Sequence, residues 1–188
     1  PSFWLLSLGL LFATVPCYTS NKHLILYLHD VGLDAIAAAN AKSTYIVVGG
    51  VGRVLAGLLA DRVDRFKLLT AIYLLGALAF PMVFWLPAPW ALWGFIVGFG
   101  LAYGGVMPMM PIMVVECFGV AALGTLLGLI KIGYDTGAAT APLAAAYAYD
   151  TLGNYDLAFG VNEACAVLAV ACAIALDRGR RREGSAAA

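Results

Sequence analysis

Residues 35–60 read AIAAANAKSTYIVVGGVGRVLAGLLA, residues 61–67 read DRVDRFK, and residues 68–86 read LLTAIYLLGALAFPMVFWL. Two apolar stretches flank a short segment that carries Asp61, Arg62, Asp64, Arg65 and Lys67. At about 1.5 Å of rise per residue, each stretch is long enough as a helix to cross a hydrocarbon core of about 30 Å. Lipid offers no partner to backbone N–H and C=O groups, so a spanning segment must close its hydrogen bonds internally, as a helix does. The stretch therefore predicts a helical hairpin in a bilayer with a charged loop at one surface.

The same alternation runs outward in both directions. Apolar runs cover roughly residues 3–28, 35–60, 67–86, 90–115, 123–149 and 155–176. Polar or proline-bearing breaks separate them: His29 to Asp34, Asp61 to Arg65, Pro87-Ala88-Pro89, Glu116 onward, and Asp150 to Asn154. Pro16 lies inside the first run, where neighbouring helices can satisfy the backbone groups it frees. The expected architecture is all-α and integral to the membrane, with six transmembrane helices over residues 1–176 and a basic, disordered tail over 177–188.

Composition agrees. Of 188 residues, 63% are hydrophobic and 12% charged, with eleven basic and eleven acidic side chains giving no net charge. A soluble domain carries about 25% charged residues, and nucleic-acid binding needs a basic surface that a neutral chain does not supply. Neither GxxxxGK[ST], HExxH nor GxSxG occurs, so the reading is not an enzyme and calls for no cofactor and no metal. Cys17, Cys117, Cys165 and Cys172 fall in or beside apolar runs without a CxxC pair and read as small core residues. The chain opens Pro1-Ser2-Phe3-Trp4 without Met or a basic leader, which leads us to expect a start partway through a longer protein.

Basic residues give an orientation. Arg62, Arg65 and Lys67 lie between the second and third runs, and Arg178, Arg180, Arg181 and Arg182 follow the sixth, on the same side after six crossings. Cytoplasmic loops collect Lys and Arg, so both ends of this segment are expected in the cytoplasm of a cell with the protein in its inner or plasma membrane. The opposite loops hold Asp30, Asp34, Asp150 and Asp156, with Lys42 as a nearby cation. Gly94/Gly98, Gly100/Gly104, Gly124/Gly128 and Gly133/Gly137 are each four apart, a spacing that lets membrane helices approach closely.

Ionisable groups at membrane depth cost several kcal/mol unless paired or hydrated, which makes each a candidate for function. Arg53 lies eight positions before Asp61 and Lys131 eight beyond Leu123, so both sit about 12 Å in from the same surface. Asp135 is one turn from Lys131 on the same face. Two readings stay open: Lys131 and Asp135 form an internal pair, or Arg53 and Lys131 line a cavity for a small organic anion while Asp135 balances charge or carries a proton. A guanidinium suits a carboxylate because its planar fork donates twice. Glu163, about two turns into the sixth run, is a second candidate for a proton, or an acid paired to a neighbouring helix. Lys22 and His23 lie near the far surface, where snorkelling suffices, and Glu116 is expected to pair with a loop arginine. A facilitator for neutral or cationic compounds, its charges purely structural, is the alternative.

The segment from Gly57 through Asp61, Arg62 and Arg65 to Lys67 resembles the signature loop G-x-L-A-D-R-x-G-R-x-[KR] of the major facilitator superfamily, with Asp64 where glycine is usual. That resemblance implies a loop between the second and third helices of a six-helix half, two inverted three-helix repeats, with Gly57, Asp61, Arg62 and Arg65 acting as a conformational latch on the cytoplasmic face. More of the chain is similar to the monocarboxylate and oxalate–formate branch: His29-Asp30-Val31-Gly32-Leu33, Gly52-Arg53, Gly128-Leu129, Ala141-Pro142, Asp150 to Tyr155, and Ala158-Phe159. This implies the C-terminal half of a twelve-helix transporter, whose N-terminal six-helix half supplies the other cavity wall. It implies that Arg53 engages the substrate carboxylate and that Lys131 stands in place of the lysine of oxalate-type members. Proton-coupled members carry aspartate one turn before that arginine; here the position is Gly49, which favours anion exchange, or a proton carried on Asp135 or Glu163.

Overall fold

A computed structural model describes residues 2–186, with side chains through Arg182. Six long helices are present among them: α1 Ser2–Asp30, α2 Ala35–Ala60, α3 Arg65–Trp85, α4 Pro89–Phe118, α5 Leu123–Leu152 and α6 Asp156–Ala186. The last turns of α3, Phe80–Trp85, tighten to 3-10 geometry, and α4 carries a π-helical turn at Phe95–Phe99. All except α5 are long and apolar enough to cross a membrane by composition. α5 is the helix that holds Lys131 and Asp135.

Local chemistry sets the ends. Asp34 caps α2 by accepting from the Ile36 and Ala37 amides, and Asp64 caps α3 by accepting from the Phe66 and Lys67 amides. Asp64, the departure from the signature loop, is thus the residue that starts α3. Gly153 closes α5 at φ +72°, a left-handed backbone that glycine adopts without a Cβ penalty. The disordered tail expected from residue 177 is not seen over the described residues. α6 continues to Ala186, and Asp177 holds Arg180 and Arg181 at the helical spacings that stabilise another turn. Residues 187 and 188 lie outside the described residues.

α4 packs along α2, α1 packs along α5 and α6, and α3 sits between α4 and α6. Buried side chains form two layers along the bundle axis. One, at the α2–α3 loop end, contains Leu10, Phe66, Met109, Met113, Ile130 and Leu176. The other, at the far end, contains Leu28, Tyr45, Phe80, Phe95 and Phe159. Tyr18 packs against both layers and so marks mid-depth.

The glycine reading holds for α4 and fails for most of α5. A Cβ on Gly104 would meet the Gly49 carbonyl, and one on Gly52 would meet the Leu101 backbone, so α2 and α4 touch main chain to main chain. In α5 an added Cβ at Gly137 would meet Leu11, but nothing lies within 4 Å of one at Gly124, Gly128 or Gly133. These three open outward from the bundle. The spacing signalled a close approach, but not which helix face would receive it.

Candidate functional site

The site grows from the middle of four helices. On α2, Lys42, Tyr45, Gly49 and Arg53 recur at three- and four-residue steps, which puts them on one stripe. Tyr103, midway along α4, lies against that stripe where Gly49 leaves room for its ring, and it stacks on Tyr45 with centroids 5.4 Å apart. From α1, the Asn21 amide donates to the Tyr103 hydroxyl at 2.8 Å. The Lys42 ammonium donates to the Asn21 main-chain oxygen at 2.6 Å and to its side-chain oxygen at 2.7 Å. Tyr18, one turn before Asn21 on α1, meets Tyr134 of α5 edge to face, and the Tyr134 hydroxyl donates to the Tyr18 hydroxyl at 3.3 Å. The Lys131 ammonium lies 5.7 Å from the centre of the Tyr134 ring.

Two groups of contacts result: Tyr45, Tyr103, Asn21 and Lys42 link α2, α4 and α1, and Tyr18, Tyr134 and Lys131 link α1 to α5, with Tyr18 one turn from Asn21 and Arg53 one turn from Gly49. Arg53 and Lys131 are both exposed. Lys131 donates to both Asp135 oxygens, at 2.7 and 2.8 Å, so the internal pair is formed. Arg53 makes no ion pair among the described residues. With Lys131 neutralised by Asp135, Arg53 is left as an exposed positive charge and Lys42 as a buried one held by Asn21.

Sequence reasoning missed Lys42, Asn21, Tyr18, Tyr103 and Tyr134. Lys42, beside the far-side loops in the sequence, is 8% exposed and two turns inside α2. Its step of three to Tyr45 and seven to Gly49 was the available signal. His23 is not a snorkelling surface residue. It is buried, with Nε2 3.0 Å from the Pro142 carbonyl and Nδ1 3.2 Å from the Tyr155 hydroxyl. A carbonyl only accepts, so Nε2 carries the proton and Nδ1 accepts from Tyr155, tying α1 to α5 and to the residue that precedes α6. Glu163 lies on α6, outside both groups of contacts, with its Oε2 buried and unbonded. All four cysteines are free, with Cys17 buried.

At the loop end, Arg65 pairs with Glu116 of α4, as expected for that acid. Arg180 pairs with Asp64 at 2.8 Å. Partial burial of Asp64 works against its ionisation, but the Lys67 and Phe66 amides together with Arg180 outweigh it and hold the carboxyl below the usual carboxylate range. Asp61 and Arg62 are exposed and make no ion pair among the described residues, and nothing lies within 4 Å of a Cβ added at Gly57.

The family profile described as Major Facilitator Superfamily matches residues 3–188. The chain belongs to the Major Facilitator Superfamily. As a member it is a multi-pass integral membrane protein, not an enzyme. Among curated members, it is 24% identical over 143 residues to the uncharacterized MFS-type transporter YhjX of Escherichia coli (strain K12), covering 73% of this chain and 35% of the relative. It is 26% identical over 164 residues to Monocarboxylate transporter 12 of Homo sapiens, covering 84% of this chain and 31% of the relative. The chain thus spans about a third of the length of these relatives. Its fold matches an auto-inhibited POT family peptide transporter (TM-score 0.78, 18% identity, 94% of this chain and 37% of that one). It also matches the POT family transporter PepTSo (TM-score 0.81, 14% identity, 96% of this chain and 37% of that one).

Proposed function

We propose that this chain is the C-terminal six-helix half of a twelve-helix secondary transporter that moves small organic anions, monocarboxylates or dicarboxylates, by alternating access. The observation that carries the reading is Arg53, an exposed guanidinium at membrane depth on α2 with no ion pair among the described residues, near a polar and aromatic network that spans α2, α4, α1 and α5. Such a group is costly against lipid, and a second bundle set against it turns its surroundings into a hydrated cavity wall. Similarity to Monocarboxylate transporter 12 supports a carboxylate as the guest. Arg53, without an ion-pair partner among the described residues, is the group with a donor fork for it.

The N-terminal six-helix half is the proposed second bundle. Asp61 and Arg62 supply a latch to that half at the cytoplasmic end, while Arg65 and Asp64 are engaged within this bundle by Glu116 and Arg180. Both ends of the segment lie in the cytoplasm, since Lys42 is an interior residue and the far loops are left without a cation. Exchange of one anion for another fits better than symport through an aspartate at position 49. The Tyr103 ring fills the space beside Gly49, 3.1 Å from where a Cβ would stand. A proton carried on Asp135 is the route by which symport would operate.

One observation favours the facilitator of neutral or cationic compounds: the Lys131–Asp135 pair is closed on itself. Proteoliposomes of the full-length protein preloaded with unlabelled lactate or oxalate separate the two readings. Labelled carboxylate is expected to accumulate by counterflow, with no counterflow of size-matched neutral or cationic compounds. Counterflow of the neutral or cationic set alone overturns the anion reading.

A further inference from the structure

On the side of the bundle away from the polar face, α3 and α6 form a second charged feature. Lys67, Thr70, Ala71 and Leu74 of α3 line one groove with Ile174, Asp177, Arg178 and Arg181 of α6. Each set recurs at three- and four-residue steps, so two helical stripes face one another across it. The groove is graded along its length. Its loop end carries Lys67, Arg178 and Arg181, whereas Ala71, Leu74 and Ile174 line it further into the membrane. Leu74 and Ile174 are 44% and 37% exposed, so this wall is open to the bilayer.

The charges do not cancel. Asp177 holds Arg180 at 2.9 Å and Arg181 at 2.6 Å, and Asp64 takes Arg180 from its other side at 2.8 Å. Lys67 and Arg178 have no ion-pair partner among the described residues. Two cations are thus left at the polar end of an apolar slot between membrane helices, at the level of the headgroups. The complementary molecule has a phosphate at one end and hydrocarbon at the other. Basic pockets of this kind between helices are matched to anionic lipids.

We propose that the groove between α3 and α6 is a binding site for an anionic phospholipid of the leaflet at the α2–α3 loop end. Its phosphate sits between Lys67 and Arg178, with Arg181 at the rim, and an acyl chain lies along Ala71, Leu74 and Ile174. The site stands apart from the anion pathway and requires only that the helices span a bilayer.

Native mass spectrometry of the full-length protein, released from detergent with phosphatidylglycerol or phosphatidylcholine added, tests it. Phosphatidylglycerol is expected to be retained over phosphatidylcholine. Lys67→Gln and Arg178→Gln each weaken that retention about fivefold and together about twenty-five-fold, from the usual attraction of one basic side chain to an anionic lipid surface. Lys67→Arg and Arg178→Lys restore it, which separates lost charge from lost folding. Arg182→Gln removes the same charge at the same end outside the groove and leaves retention unchanged. Retention unaltered in the double variant overturns the site, and an equal loss in Arg182→Gln overturns it in favour of diffuse attraction. Displacement of the lipid by soluble glycerophosphate at equal concentration overturns the acyl-chain slot and leaves a plain phosphate site.

Discussion

Arg53→Ala is expected to cut carboxylate transport by roughly 30-fold or more in kcat/KM. Removing one partner of a desolvated, hydrogen-bonded charge pair costs about 2–5 kcal/mol. No other side chain replaces the lost donor: Lys131 is held by both Asp135 oxygens, and Lys42 is committed to Asn21. Arg53→Lys keeps the charge but not the fork. It is expected to lose about tenfold, the worth of one charge-assisted hydrogen bond at about 1.5 kcal/mol. Because Arg53 is exposed and has no ion pair among the described residues, both variants are expected to fold, with thermal unfolding in detergent as the check. Initial uptake rates over a range of carboxylate concentrations give the ratio, and unchanged rates in both variants remove Arg53 from the pathway.

The second large effect concerns the scaffold that holds Arg53 in place. Gly104→Leu drives a branched side chain into the Gly49 carbonyl and the Arg53 amide. Main chain cannot step aside as a flexible side chain does, so α2 and α4 must separate. Overpacking typically costs about 1–3 kcal/mol, and this site, with backbone on the receiving side, lies at or above the top of that range. Gly160→Ala is the control, since nothing lies within 4 Å of its added Cβ; its stability stays within about 0.5 kcal/mol of the parent. Thermal unfolding of the full-length protein in detergent checks the contrast. Equal stabilities for the two variants would mean that α2 and α4 do not meet at Gly104.

Much of the fold is legible in the sequence because lipid is an exacting solvent. A charged heptapeptide between two apolar runs fixes a hairpin, and the alternation places all six helices, with α2 over residues 35–60 as the run itself reads. Boundaries shift where local chemistry extends a helix beyond its apolar run, as Asp177 does for α6 through Arg180 and Arg181. The site is only half legible. Arg53, Lys131 and Asp135 announce themselves as charges at membrane depth. The residues around them do not, because Asn21, Tyr18, Tyr103 and Tyr134 are ordinary side chains whose meeting depends on how α1, α4 and α5 pack. Lys42 lay in plain view, near the end of an apolar run, where counting charges by loop assigns it to the surface. Only its partner on α1 reveals that it points inward.

The chain's membership in the Major Facilitator Superfamily gives the structural frame, and the proposed function adds one physical statement: a positively charged face at mid-depth receives an anion. Gly50 offers the most direct test. It is exposed on α2, three positions before Arg53 on the same face, with open space around an added Cβ. In full-length protein with Cys17, Cys117, Cys165 and Cys172 replaced, Gly50→Cys is labelled with a neutral maleimide in the presence of a small carboxylate, a neutral analogue or a cationic analogue. The carboxylate alone is expected to slow labelling, and adding Arg53→Ala to abolish the protection. A labelling rate indifferent to the carboxylate while Arg53 is present would contradict that statement.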